Sequence, residues 1–543
     1  MQYRALSRWL AGAVTLAIFA VVIILTRSPN NPPLEPSAGA QPVKSDPPGW
    51  TMFGGTPARN MVNPTAKNLP AEWSVEEGEF KNVLWSADLG SRAYGGPTVA
   101  GGKVFVGTNN EAKRDKKYID PKTGKAIDLG VLMVFNQADG KFLYQSVFPK
   151  IPAGIVKDWP LEGLCSTPTA EGDRVYYTSN RCEVVCADIN TGTFHWKFDM
   201  IGELGVFPHN LTCCSPLIVG DDLYVITANG VDQGHLNVPA PQAPSFLKMN
   251  KKTGKVIWQD NSPSVMLTKA ANAQQDFMKK LVNRGQLIQH GQWSNPSYAV
   301  VDGQPQIIFP GGDGWIYAFA PDGKVIWKFD CNPKDAVYEL GTKGTRNDFI
   351  ATPVIYKNRV YIAVGQDPEH EFGVGHLWCI DMTKKGDVSP ELVTDDSVFP
   401  PKTKPNPESA ALWHFGGPIK AEDKGKIKRN YYFGRTMSTC AIHDDLLYVA
   451  ELTGELHCLD ANTGKHYWEH ETRKQTWSSP YWADGKVYLG TDGDVVWVFA
   501  HGKEKKLLAK NDCDGHVRAT PVAVGNVLYV IGGNKLYAIG KKD

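Results

Sequence analysis

Residues 209–216 read HNLTCCSP, and the adjacent pair Cys213 and Cys214 is the stretch whose residue types most directly suggest chemistry. Consecutive Cα atoms lie ~3.8 Å apart, whereas a relaxed disulfide spans roughly 4.4–6.8 Å. A bridge between neighbours is therefore strained and forms only where its surroundings impose it, as a redox-related ring beside a bound group would. The alternative is two small thiols at the edge of a strand. The other cysteines are less suggestive. Cys186, Cys379 and Cys458 occupy one repeated position and read as small core residues. Cys182 and Cys186 share a strand face but lie too far apart to bridge. No Cys/His set has zinc spacing. The fragment PEHE (368–371) reads as a loop, which does not support a helical metalloprotease motif. Gly-x-Ser-x-Gly, phosphate-loop and C-x-x-C-H haem patterns are absent.

What these residues could do depends on the elements that position them, and the chain repeats itself. Units such as CSTPTAEGDRVYYTSNRCEVVCADINTGTFHWKFD (165–199) and STCAIHDDLLYVAELTGELHCLDANTGKHYWEHE (438–471) share one order. A proline or substitute is followed by a short strand, a Gly/Asp turn, a Tyr-centred apolar strand, an alternating strand, an Asp-x-x-Thr-Gly turn and a tryptophan. The apolar or alternating runs of four to six residues are those of β-strands buried on one or both faces. The turns use residues that tolerate positive φ or form Asx turns. Trp196, Trp258, Trp327 and Trp468 recur once per unit, as residues that pack one sheet on the next would. Starts at Pro97, Pro168, Pro216, Pro296, Pro353, Cys440, Pro480 and Pro521 give eight units. The last stops before its tryptophan strand, and NVLWSADLG (82–90) supplies one at the other end. Closing the ring this way hides sheet edges. The expected fold is all-β: an eight-bladed β-propeller of four-stranded antiparallel sheets over 49–543. Three stretches exceed the repeat: 108–131 as a lengthened hairpin, 262–290 as a helix, and 386–436 as a long insert holding WHFGG.

In such a ring the segment before each blade proline faces the central channel. HNLTCCSP then shares its station with SRAYGGP, HGQWSNP, TRNDFIATP, FGRTMSTC, TWSSP and GHVRATP. These converge Arg92, His209, His290, Trp293, Arg346, Asp348, Arg435, Trp477, His516 and Arg518. The four arginines would suit an anionic ligand, and Trp293 or Trp477 could give a flat stacking floor.

The units ADINTGTFHW (187–196) and LDANTGKHYW (459–468) resemble the Trp-docking repeats of the pyrroloquinoline-quinone-like propeller superfamily. GWTMFGGTPARN (49–60) resembles the segment that leads into bacterial propellers of this kind. The resemblance implies one of two branches. Quinoprotein alcohol dehydrogenases bind pyrroloquinoline quinone with calcium in the channel and carry an adjacent-cysteine disulfide against the quinone. That reading makes Cys213, Cys214, Arg92, Trp293, Arg346, Arg435, Trp477 and Arg518 cofactor-binding candidates. Asn295 and Asp348 become candidate calcium ligands, since calcium takes oxygen donors, and Asp348 or Asp313 the candidate base. The other branch is non-enzymatic and serves outer-membrane protein assembly. The sequence departs from the dehydrogenase pattern: SPLIVG follows the cysteines in place of a Val-Asn-Arg-Gly segment, and no glutamate matches the calcium site. The resemblance therefore favours a binding or scaffold propeller, with a quinone- and calcium-dependent oxidoreductase of an alcohol, aldehyde or sugar as the alternative.

Bulk composition agrees with a globular protein. Apolar residues make up 42% and charged residues 21% of 543, with 53 glycines, 37 prolines and 16 tryptophans. A net charge of +1 gives no basic field for nucleic acid. The run WLAGAVTLAIFAVVIIL (9–25), with Arg4, Arg8 and Arg27 around it, reads as one N-terminal transmembrane helix over 1–27, a cleaved signal peptide being the alternative. Residues 28–48 carry seven prolines and read as an extended tether. The expectation is a single-pass protein of the inner membrane, its propeller on the periplasmic side and an envelope protein as partner.

Overall fold

The computed structural model describes residues 49–152, 158–235, 238–263, 290–337, 344–366, 368–398 and 400–541. The expected anchor and tether, and almost all of the 262–290 helix, lie outside these residues. Among the described residues no helix is long and apolar enough to cross a membrane.

Eight antiparallel sheets follow one another along the chain, beginning with strands at Thr98, Thr169, Leu217, Ser297, Val354, Ala441, Tyr481 and Val522. Each starts on the residue after its predicted proline or cysteine. The first strand of most sheets is short and buried, Ser297–Val301 being longer and half-exposed, and the fourth turns towards solvent, as in Phe194–Asp199. The last blade is completed by Val83–Asp88, antiparallel to Lys535–Ile539, so the ring closes as the sequence implies.

The Asp-x-x-Thr-Gly motif has a local and a tertiary cause. Asp188 Oδ1 accepts the N–H groups of Asn190 and Thr191 at 2.9 and 2.8 Å, forming an Asx turn. Asp460 does the same for Asn462 and Thr463. The glycine that follows receives the previous blade's aromatic ring. Trp196 lies against Gly254, where a Cβ would sit 2.6 Å from the ring, and its Nε1 donates to the Lys251 carbonyl at 3.1 Å. Trp85, Trp258 and Trp468 dock likewise on the turns of the next blade. In the first blade Tyr144 takes the tryptophan's place, its hydroxyl donating to Ile189. Trp327 reaches its neighbour through a relay: its Nε1 donates to Gln306, whose amide donates to Met382.

The 386–436 stretch is not wholly an insert, which corrects the sequence reading. Ala411–Gly416 is the fourth strand of the fifth blade, and Trp413 is a docking residue that donates to Ala461 at 2.9 Å. The repeat was hidden because an added hairpin, Glu391–Asp395 with Lys402–Pro405, separates this strand from its blade.

The innermost strands present an unpaired edge to the channel. The segment 50–63 satisfies much of it. Its backbone bonds to Val99, Ala170, Tyr298, Ile355 and Trp482, on the inner strands of five blades. Asn60 exchanges two bonds with Ile442 and Asn63 donates to Ala523. Arg59 serves the third blade. It is fully buried, and its guanidinium donates to the carbonyls of Phe53, Ser215, Pro216 and Pro296 at 2.9–3.2 Å. All eight blades are thus tied to one short segment. Burial pushes the Arg59 pKa down only to about 10, so the charge persists at neutral pH. Arg59→Lys keeps a charge but loses the planar fork. We expect it to lower the unfolding free energy by about 3 kcal/mol, read from urea denaturation.

Candidate functional site

The channel contains a cavity of about 280 Å³, and every blade contributes to it through the segment before its first strand. Two rings of residues form its wall. The ring nearer the blades is built from the residue that precedes each proline or its substitute. Thr167 N–H donates to Ser215 Oγ, Ser215 N–H to Asn295 Oδ1, and Asn295 Nδ2 to Thr352 Oγ1. Thr352, Thr439 and Ser479 continue the chain of bonds to Thr520 at 2.8–3.0 Å. This belt joins blades two to eight; the first blade has Gly96 at the matching position, with no side chain to join it. The proline accounts for the geometry, because the residue before a proline is held extended.

Two residues earlier along the same segments stand larger groups: Tyr94, Cys165, Cys213, Trp293, Trp477 and Arg518. Phe53, Trp159, Glu162 and Glu369 complete the aromatic and acidic parts of the wall. Tyr94 and Trp477 pack at 5.5 Å between ring centroids. The Arg518 guanidinium sits 4.7 Å from the Trp477 ring. It makes a two-pronged bond to Asp492 at 2.8 and 3.0 Å and a third to the Tyr94 hydroxyl.

The sequence-predicted residues fall into two groups. Cys213, Trp293, Asn295, Trp477 and Arg518 reach the cavity. Arg346, Arg435, Asp313 and Asp348 do not line it. Arg346 donates to the Asp313 carbonyl at 2.6 Å. Arg435 is buried and donates to the carbonyls of Gly344, His370 and Glu371. Arg92 pairs with Glu162 at 2.6 Å. His516 stands at an exposed rim, its ring bonded to the Asp492 carbonyl. The cysteines are both free thiols and part company. Cys213 Sγ faces the cavity and donates to the Trp293 carbonyl, whereas Cys214 Sγ points into the blade core and accepts from Ile226. Burial pushes both thiols up, Cys214 to about 12, so neither is a thiolate at neutral pH.

Asp313 is a structural acid. It accepts from Trp315 N–H at 3.0 Å and from the Tyr317 hydroxyl at 2.7 Å, and burial pushes its pKa up to about 6. Asp348 approaches His290 Nδ1 at 2.8 Å, an ion-pair distance without hydrogen-bond alignment, and is likewise pushed up, to about 8. It belongs to a buried group that sequence reasoning half missed. His209 and His290 were visible at the channel station. His235 and His370 come from loops of the third and fifth blades, and no short motif links the four.

A family model described as outer membrane protein assembly factor BamB matches residues 128–366 and 406–543. The chain belongs to this family. Solved structures show where its fold recurs. The chain is similar to quinohemoprotein alcohol dehydrogenase from Comamonas testosteroni, with 13% identity, TM-score 0.57, and 91% of this chain and 81% of that one covered. A europium-containing methanol dehydrogenase aligns with 16% identity and TM-score 0.52 over 89% of each chain. BamB from Moraxella catarrhalis aligns with 14% identity and TM-score 0.46 over 76% of this chain and 92% of that one. No curated protein matches the chain in sequence. At these identities the two dehydrogenase structures show a shared fold and do not assign an activity.

The residues present do not fit the quinone and calcium that the dehydrogenase branch would require. A tricarboxylated quinone needs uncommitted cations, yet each of the four arginines is engaged by a carboxylate or by backbone carbonyls. Asn295, the expected calcium ligand, uses its oxygen and its amide in the belt. Asp348, the expected partner ligand or base, faces His290 away from the cavity wall. Two measurements check these assignments. Asn295→Ala leaves the buried Ser215 N–H without its acceptor and should cost about 1–3 kcal/mol of stability. Asp313 has a folded pKa above its unfolded value of about 3.9. Its contribution is therefore fully present below pH ~4 and lost as pH rises through 6. Relative to wild type, Asp313→Asn should gain about 2–3 kcal/mol between pH 4 and pH 7.5 in matched urea titrations.

Proposed function

We propose that this chain is a binding propeller of the cell envelope, tethered to the inner membrane by its apolar N-terminal run and proline-rich linker. Its channel mouth seats a neutral, flat or apolar group, such as an aromatic side chain presented by an envelope protein. The observation that carries this reading is the character of the cavity. Its walls are aromatic, and Arg518, Glu162 and Glu369 are each engaged by a partner within the chain. An anionic cofactor there would meet an Arg518 already paired with Asp492, and the Glu162 and Glu369 carboxylates on the same wall. A neutral ring can stack on Trp293 or Trp477 with no such rearrangement. Membership of the assembly-factor family supports the same reading.

The test uses the full chain in detergent or nanodiscs. Pyrroloquinoline quinone is titrated with and without calcium while tryptophan fluorescence and the melting temperature are followed. We expect no saturable quench and no calcium-dependent shift up to high micromolar quinone. In parallel, a photo-crosslinking residue at Trp477 should capture an envelope protein in cells, and one at Phe194, on the outer face of the second blade, should not. Tight calcium-dependent quinone binding would overturn the proposal, as would equal capture from both positions.

A further inference from the structure

Beside the cavity, four histidines from three successive blades meet in the interior. His209 and His290 precede the third and fourth blades, and His235 and His370 lie in loops of the third and fifth. All four are buried, with exposures of 0–5%. Burying so many polar rings in one place calls for an account of each nitrogen.

The outward nitrogens have anchors. His209 Nδ1 lies 3.0 Å from the Val231 carbonyl. His235 Nε2 lies 3.4 Å from Glu369 Oε2, and His290 Nδ1 2.8 Å from Asp348 Oδ2. The inward nitrogens face one another. His290 Nε2 and His370 Nε2 approach the same atom, His235 Nδ1, at 3.2 and 3.0 Å. His209 Nε2 is buried with no hydrogen-bond partner among the described residues. One ring nitrogen from each of His209, His235 and His290 falls within 4.8 Å of the others.

Protons alone account poorly for this convergence. An imidazole nitrogen carries either one lone pair or one hydrogen. His209 Nε2, buried and without a hydrogen-bond partner among the described residues, is the nitrogen that protons leave unaccounted for. A cation that accepts lone pairs would satisfy the converging nitrogens of His209, His235 and His290 together. In a tetrahedral zinc site with Zn–N of roughly 2.0–2.1 Å, the nitrogens lie about 3.3 Å from one another. The observed spacing of 3.2 Å between His290 Nε2 and His235 Nδ1 is close to that edge. The outward contacts are those that orient metal-bound histidines: a carbonyl or carboxylate on the far nitrogen fixes the tautomer and raises ligand basicity. Nitrogen-only donors select zinc, copper or nickel over calcium.

We propose that His209, His235 and His290 bind one divalent transition-metal ion of the zinc class, with Asp348 and Glu369 as the carboxylates that orient two of the rings and His370 packed against His235. Three protein nitrogens leave a fourth position for water or another donor, and the ion would hold the loops that carry them. These loops of the third and fourth blades build one side of the cavity. Trp293 stacks on His209 with centroids 5.5 Å apart and donates to the His209 carbonyl, and Glu369 joins His235 to the cavity wall. The proposal stands independently of what the cavity binds. A second group, His457, His466 and Glu469, serves as a control: His457 Nε2 is already bonded to Glu451 at 2.7 Å, and Glu469 is exposed.

The test starts from the full chain stripped with a chelator and dialysed into metal-free buffer. Cobalt(II) and zinc(II) are titrated separately. Elemental analysis should return about one metal per chain, and cobalt should give the intense visible bands of a tetrahedral nitrogen site. Zinc should raise the melting temperature of the stripped protein. His235→Ala should abolish stoichiometric binding, and His466→Ala should leave it unchanged. Asp348→Asn, which keeps every ligand, should weaken binding 10–100-fold; it keeps the test decisive if His235→Ala fails to fold. Stripped wild-type protein that binds neither ion would overturn the proposal. So would binding that survives His235→Ala in folded protein, or binding that is lost in His466→Ala.

Discussion

The structure depends on what becomes of the inner edges of eight sheets. Each innermost strand offers its outer edge to its own blade and turns the other towards the channel, where unpaired N–H and C=O groups are costly unless satisfied. One segment, Trp50 to Asn63, answers most of that demand. Its backbone and the side chains of Arg59, Asn60 and Asn63 reach all eight blades. The buried guanidinium of Arg59 matters because only a planar group with several donors can meet four carbonyls from three places at once. Ring closure by Val83–Asp88 then hides the remaining edge of the final blade.

The same demand explains why polar residues at the channel are poor guides to ligands. Asn295 lies on the cavity wall, yet its oxygen and amide complete a belt of hydrogen bonds between neighbouring blades. Arg435 lies at the station expected of a channel cation, yet it serves the carbonyls of Gly344 and of the loop that carries His370. Backbone groups near the axis claim nearby donors first, since each contact satisfied inside the protein avoids a desolvation cost of about 1–3 kcal/mol. What remains for a ligand is the largely apolar ring two residues earlier, in which Tyr94, Trp293 and Trp477 are aromatic.

The cavity and the histidine cluster are joined through Trp293 and Glu369, each of which touches both. An ion held by the histidines would fix the loops of the third and fourth blades and therefore the shape of one cavity wall. The remaining wall is fixed by the belt and by the bonded pair of Arg518 and Asp492.

Much of the fold was legible in the sequence because its causes are local and recur. The Asx turn, the positive-φ glycine that admits a tryptophan face, and the proline before each inner strand act within a few residues, so their pattern repeats with the blade. The missing final strand was legible because the last unit lacks its tryptophan strand and one such strand stands alone before the first unit. Trp413 was missed because a hairpin interrupts its unit, and Tyr144 because it differs from the consensus residue. Which arginines are engaged, which way each cysteine turns, and the meeting of His209, His235, His290 and His370 were decided only by the tertiary structure. These contacts join residues 55 to 135 positions apart, as between His235 and its two neighbouring histidines. Their partners lie on loops whose positions are set by the closed ring, and no local spacing encodes them.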